Sequence, residues 1–169
     1  MKLSEEAILL SGRDEPVIER LTGDLLVMYE FDLPGRFEFV ARRHCEALGL
    51  EAGDLRTLSV RNLVERRGKP QIKRTGRVVM LILDGDLEAS LLLVDMLWDQ
   101  LAPKIPGDLI AAVPTRDTLT VTGTGLDGGV AVLNYAVREV WDSPRRNWKL
   151  LLSPSLLIRQ GNSWQLLGS

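Results

Sequence analysis

Two periods of apolar residues run through the chain. Leu25 to Phe31 is nearly continuous aliphatic and aromatic sequence, and Phe37 and Phe39 alternate with polar neighbours. Both patterns predict strands, with Pro34-Gly35 as the reversal between them. Ala41 to Leu48 predicts a short helix closed by Gly49. Asp54 to Arg67 predicts a longer one, capped by Asp54, with Leu55, Leu58, Leu63 and Val64 on its apolar side and Gly68 as its stop. Pro70 to Lys73 and Arg77 to Leu83 predict two strands around Thr75-Gly76. Asp86 to Leu101 predicts the central buried helix: Asp86 is the expected N-cap, and apolar residues cover most of the circumference.

Beyond it, Leu109 to Val113 and Thr118 to Thr122 flank Pro114-Thr115-Arg116-Asp117, a tetrapeptide suited to a turn. Val130 to Trp141 predicts a helix capped by Asp127. Leu156 to Gln160 and Ser163 to Leu167 predict a hairpin across Gly161-Asn162. Hairpins and helices follow one another without a regular β-α-β rhythm. The expected fold is therefore one α+β domain over residues 1–169, a mainly antiparallel or mixed sheet of hairpins packed on about four helices. Its expected core includes Leu91, Val94, Trp98, Val113, Leu119, Leu133 and Val137.

Three stretches carry a family resemblance. One is Pro16-Val17-Ile18 with Asp24 to Asp32. Another is Leu83-Asp84-Gly85 with Glu88 to Leu93. The third is Gly107-Asp108-Leu109 with Val113 to Asp117. In these, taken in order, the chain resembles the YtpQ-like family of uncharacterised bacterial proteins, a domain of unknown function. The resemblance implies a bacterial, cytosolic, single-domain protein. It brings no activity, substrate or catalytic residue with it.

Composition sets bounds on function. The 169 residues are enough for a core without covalent staples, and 45% are apolar and 26% charged. The lone cysteine, Cys45, excludes an internal disulfide and fits a cytoplasmic location. No apolar run approaches the ~20 residues of a membrane span. The formal charge of −2 gives no general attraction to nucleic acid or membranes. That charge is uneven, however. Residues 1–60 carry a net −5, whereas residues 61–77 hold Arg61, Arg66, Arg67, Lys69, Lys73, Arg74 and Arg77 against Glu65 alone. No aromatic residue interrupts this basic run, which argues against a nucleic-acid reader and for an interaction face.

Other motifs point to chemistry with less force. Gly123-Thr124-Gly125-Leu126-Asp127-Gly128 matches a dinucleotide fingerprint. It lacks the acid expected about 20 residues later, and a hairpin strand precedes it, so no cofactor is implied. Asp84, Asp86, Glu88 and Asp95 have calcium-loop spacing, but Ala89 stands where such a loop needs glycine. His44 and Cys45 are adjacent, which points their side chains apart on a helix. That predicts an exposed histidine, a small buried thiol and no metal site. The catalytic candidates are Asp84, Asp86 and Glu88 as acid/base groups, with Arg116 holding an anion and Asp117 beside it. The favoured reading is a non-enzymatic protein-binding or regulatory module of a bacterial cytosol, meeting an acidic protein or a second copy. The alternative is a small hydrolase or phosphate-handling enzyme built on Asp84, Asp86, Glu88 and Arg116.

Overall fold

A computed structural model describes residues 14–33, 36–145, 147–148 and 150–168. The chain divides into two compact units, one ending at Arg66 and the other running from Arg67 onward.

In the first unit, β1 (Ile18–Thr22) pairs antiparallel with β2 (Leu25–Met28), and β3 (Glu30–Leu33) with β4 (Arg36–Phe39). The single strand expected over Leu25 to Phe31 is thus two strands. The break falls at Tyr29, whose carbonyl accepts the Val40 N–H at 2.8 Å in continuation of the β3–β4 ladder, while the Val17 N–H donates to the Val40 carbonyl at 2.8 Å beside β1. The expected reversal at Pro34-Gly35 lies outside the described residues. Helix α1 (Arg42–Leu48) ends on Gly49, whose φ of 64° suits a residue without a Cβ. Helix α2 (Ala52–Arg67) starts before the expected cap. Asp54 sits in its first turn and reaches back to accept the Glu51 N–H at 3.0 Å. His44 is not the exposed residue expected. Its Nδ1 accepts the Ala41 N–H at 3.0 Å, and its ring meets Phe31 edge-on. Its neighbour Cys45 is buried, as a small apolar residue would be.

The second unit is built on six antiparallel strands: β5 (Gln71–Thr75), β6 (Val78–Ile82), β7 (Leu109–Ala112), β8 (Leu119–Gly123), β9 (Leu156–Gln160) and β10 (Ser163–Leu166), in the spatial order β10-β9-β7-β8-β6-β5. The protein is α+β with an antiparallel sheet, as its hairpin signals predict. Side chains alternate between the two faces of each strand. On one face Ile110, Ala112 and Leu156 pack with Leu133 and Val137 of α4 (Gly129–Asp142). The other face presents Leu109, Ala111, Leu119, Val121, Val79, Leu81 and Leu157, all buried. Trp164 of β10, on this second side, donates its indole N–H to the Leu92 carbonyl at 3.0 Å, so the segment from Glu88 to Leu101 is the layer covering it. With both faces covered, every residue of β7 is buried.

That covering segment corrects the sequence reading. One continuous helix was expected from Asp86; the chain forms a 3₁₀ segment (Glu88–Leu93) and then α3 (Asp95–Leu101), separated at Val94 with ψ of 82°. The Trp98 indole N–H takes the Leu91 and Leu92 carbonyls, at 3.0 and 3.3 Å, and the Trp164 indole shares the second. The Leu91 carbonyl also accepts the Val94 N–H at 3.1 Å, an i→i+3 bond of the 3₁₀ kind. The two rings meet edge-to-face with centroids 5.0 Å apart. Asp127 is likewise not the cap of α4: Gly128 occupies that position, with φ of 72°. The seven expected core residues are all buried.

Leu91 and Trp98 hold this layer to the sheet. Leu91→Ala is expected to cost about 2–5 kcal/mol of stability, read by chemical denaturation with tryptophan fluorescence. A loss under about 0.5 kcal/mol, the range of an ordinary surface substitution, would contradict the packing described.

Candidate functional site

The catalytic candidates gather around the turn that leaves β6. The Glu88 carboxylate is 2% exposed, although the residue is an acid. Its Oε1 accepts three consecutive backbone N–H groups, from Leu83 at 3.0 Å, Asp84 at 3.2 Å and Gly85 at 2.7 Å. Such an array of amides is what a turn uses to hold an anion; here the anion is the chain's own carboxylate. Oε2 is buried and finds no hydrogen-bond partner among the described residues.

The flanking acids are also engaged. Asp84 Oδ2 lies 2.6 Å from Arg67 Nη1, and its Oδ1 accepts the Asp86 N–H at 3.3 Å. Asp86 is paired with the guanidinium of Arg116. The Arg116 backbone ties the neighbouring layers together: its carbonyl accepts the Ala89 N–H and its amide donates to Leu150, both at 3.0 Å. Asp117 stays within its own turn, accepting the hydroxyls of Thr115 at 2.6 Å and Thr118 at 3.3 Å. The structure therefore brings Asp84, Asp86, Glu88 and Arg116 into one loop cluster and leaves Asp117 beside it as a turn-former. What this arrangement does chemically is restrain a loop. Its acids are engaged by arginines and backbone amides, the Glu88 Oε2 excepted, and are not aimed at a shared point.

The calcium-like spacing has a similar explanation. Asp95 is remote from the turn in its contacts, accepting from Arg159 at 3.3 Å, and Arg159 also reaches Asp99 and lies over the Trp164 ring. Among the described residues no group of three His, Cys, Asp or Glu could hold a metal ion.

The glycine-rich motif follows β8 in an antiparallel hairpin. Three of its amides are already used. Thr124 donates to Asp108 at 2.9 Å, Gly125 to Pro106 and Leu126 to Gly123, both at 3.0 Å. Two of its glycines serve close packing: a Cβ on Gly123 would stand 2.0 Å from the Pro106 carbonyl oxygen, and one on Gly125 would stand 3.0 Å from it.

All seven members of the basic run are exposed. Arg61 and Arg66 lie on α2 in the first unit, and Arg67, Lys69, Lys73, Arg74 and Arg77 belong to the second. Arg67 is engaged by Asp84, while Arg74 reaches the Lys104 carbonyl, at 3.4 Å. One cluster escaped the sequence reading altogether. Arg56 Nε donates to Glu19 Oε1 at 2.6 Å beside the buried phenol of Tyr29. Burial, and then the Glu19 carboxylate, push that phenol up to about 12. Burial works against the Arg56 charge, and Glu19 more than offsets it, so the guanidinium pKa rises. Contacts 37 residues apart leave no local pattern, so nothing in the sequence marks this group.

No protein family, curated protein or solved structure matches the chain. No helix among the described residues is long and apolar enough to cross a membrane.

Two outcomes follow. Glu88→Ala leaves three loop amides without their acceptor and is expected to cost about 2–4 kcal/mol, whereas Glu88→Gln keeps an acceptor oxygen and should cost less; denaturant titration of both variants distinguishes them. For Tyr29, the folded state holds the neutral phenol above its ordinary value of 10.0. Its contribution is complete below pH 10 and falls as pH rises from 10 toward 12, because the unfolded chain ionises first. The slope is at most about 1 kcal/mol per pH unit. Tyr29→Phe should flatten stability against pH in that window, and an unchanged slope would show that the phenol is not held neutral.

Proposed function

We propose that this chain is a non-enzymatic binding module of a bacterial cytosol whose basic segment meets an acidic protein. The observation that carries the reading is the contrast between two charged groups. The acids that suggested hydrolysis are bound to arginines or to backbone amides within their own loop. The cations at Lys69, Lys73 and Arg77, by comparison, stand exposed around an outer strand of the sheet. No acid occurs from Arg66 to Leu83, a stretch with six cations. Such a surface raises encounter rates with an acidic partner and makes them salt-dependent. Exposed ion pairs contribute about 0–1 kcal/mol each, so apolar contacts must supply the rest. Ile72, 51% exposed beside these cations, is available for that. The resemblance to the YtpQ-like family is consistent with this reading and adds no activity to it.

Affinity capture from bacterial extract tests the proposal. A specific partner is expected to bind at low ionic strength and to be released by ~0.5 M salt, where the screening length falls below ~5 Å. Reversing charge at Arg66, Lys69, Lys73 and Arg74 should abolish capture. Binding that ignores both treatments sinks the reading, and release of nucleic acid in place of protein replaces it.

A further inference from the structure

The outer edge of the sheet specifies how an acidic partner would bind. Strand β5 ends the order β10-β9-β7-β8-β6-β5, and all five of its residues are exposed. It pairs on one side with β6, from Gln71↔Ile82 to Thr75↔Val78. Among the described residues, no backbone hydrogen bond reaches its other side. The free edge has definite limits. Pro70, which has no N–H, precedes it, and the Gly76-Arg77 turn follows it.

The side chains along this edge discriminate between occupants. Ile72 shares a face with Arg74, and Lys73 lies on the other face with Gln71 and Thr75, as their partners Leu81, Val79 and Met80 in β6 show. A second copy is a poor match. Antiparallel pairing of β5 with itself about Lys73 sets Lys73 against Lys73 and Ile72 against Arg74, and like charges directly opposite repel. An incoming strand with adjacent acids opposite Arg74 and Lys73, followed by an apolar residue opposite Ile72, meets every group. Open edges are commonly blunted by lysine against nonspecific pairing. Here the same charges leave the edge open to one sign of partner.

Resting on the binding reading above, we infer that β5 is a strand-addition site: an extended acidic segment of a partner protein adds to the sheet antiparallel to Gln71–Thr75, held by main-chain hydrogen bonds and selected by Lys73, Arg74 and Ile72. The flanking cations Lys69 and Arg77 draw acids at either end.

The test uses the full chain and the peptide acetyl-Glu-Thr-Glu-Glu-Val-Thr-Glu-amide, with a version carrying lysine for glutamate and two versions N-methylated at alternate residues in opposite phases. Binding is followed by amide NMR and hydrogen exchange. The acidic peptide should bind at low salt and slow exchange along Gln71–Thr75 about tenfold or more. The lysine version should not bind, and one N-methylated phase should bind about tenfold more weakly or worse while the other is tolerated. Lys73→Glu with Arg74→Glu should weaken binding by at least about tenfold. Lys73→Gln with Arg74→Gln, a milder pair, should show a smaller loss in the same direction if the reversal variant fails to fold. If both N-methylated peptides bind like the parent while charge reversal still weakens them, strand addition is wrong and the acidic-partner reading survives. Failure of the acidic peptide to bind the native chain at low salt overturns strand addition, and the capture experiment then judges the broader reading independently. Protection elsewhere than β5, or a salt-resistant dimer protected at β5, also overturns the inference.

Discussion

One carbonyl oxygen, that of Leu92, accepts the indole N–H groups of Trp98 and Trp164. Both indoles are in the core, where a donor without an acceptor would cost about 1–3 kcal/mol. The acceptors lie in the 3₁₀ segment, where the Leu91 carbonyl also takes the Val94 N–H, and the two indoles hold that layer against the sheet. The turn before it inherits its position from the same constraint. Glu88 opens the 3₁₀ segment, and its carboxylate folds back on the amides of residues 83–85.

Local signals were legible where local physics decides. Gly49 stopped a helix, and Gly161-Asn162 joined a hairpin between β9 and β10. Buried positions such as Leu133 and Val137 follow from helical spacing, and the antiparallel class follows from successive hairpins. The helix expected from Asp86 to Leu101 failed because its apolar pattern is compatible with α and 3₁₀ geometry alike. The segment's acceptor for the Trp164 indole, the Leu92 carbonyl, lies 72 residues from that ring, a contact no local pattern marks.

The charged residues show the same division. The pattern around Asp84, Asp86 and Glu88 announced a cluster, and a cluster exists. Its role depends on Arg67 and Arg116, and Arg116 lies thirty positions from its partner Asp86. Spacing alone does not distinguish acids held by their own loop from acids free to act. The basic run is different, because its signal lies in exposure: all seven of its members are exposed, Arg67 while engaged by Asp84. Exposure of β5 turns a composition bias into a surface with a direction, a length and a sign.

The order of strands also bears on how the second unit is made. Hairpin β7–β8 sits between β6, which precedes it, and β9, which follows α4. During synthesis β7 can pair with β8 as soon as that hairpin emerges, but its other edge stays bare until residues 156–158 appear. The strand of the sheet that is buried at every residue therefore passes through a period as an open edge on the nascent chain. Pairings so distant in sequence slow folding and prolong exposure to aggregation. Placing α4 between β8 and β9 tempers this: the helix can cover one face of the hairpin before its last neighbour arrives, so the vulnerable interval leaves an edge exposed with one of its faces already shielded.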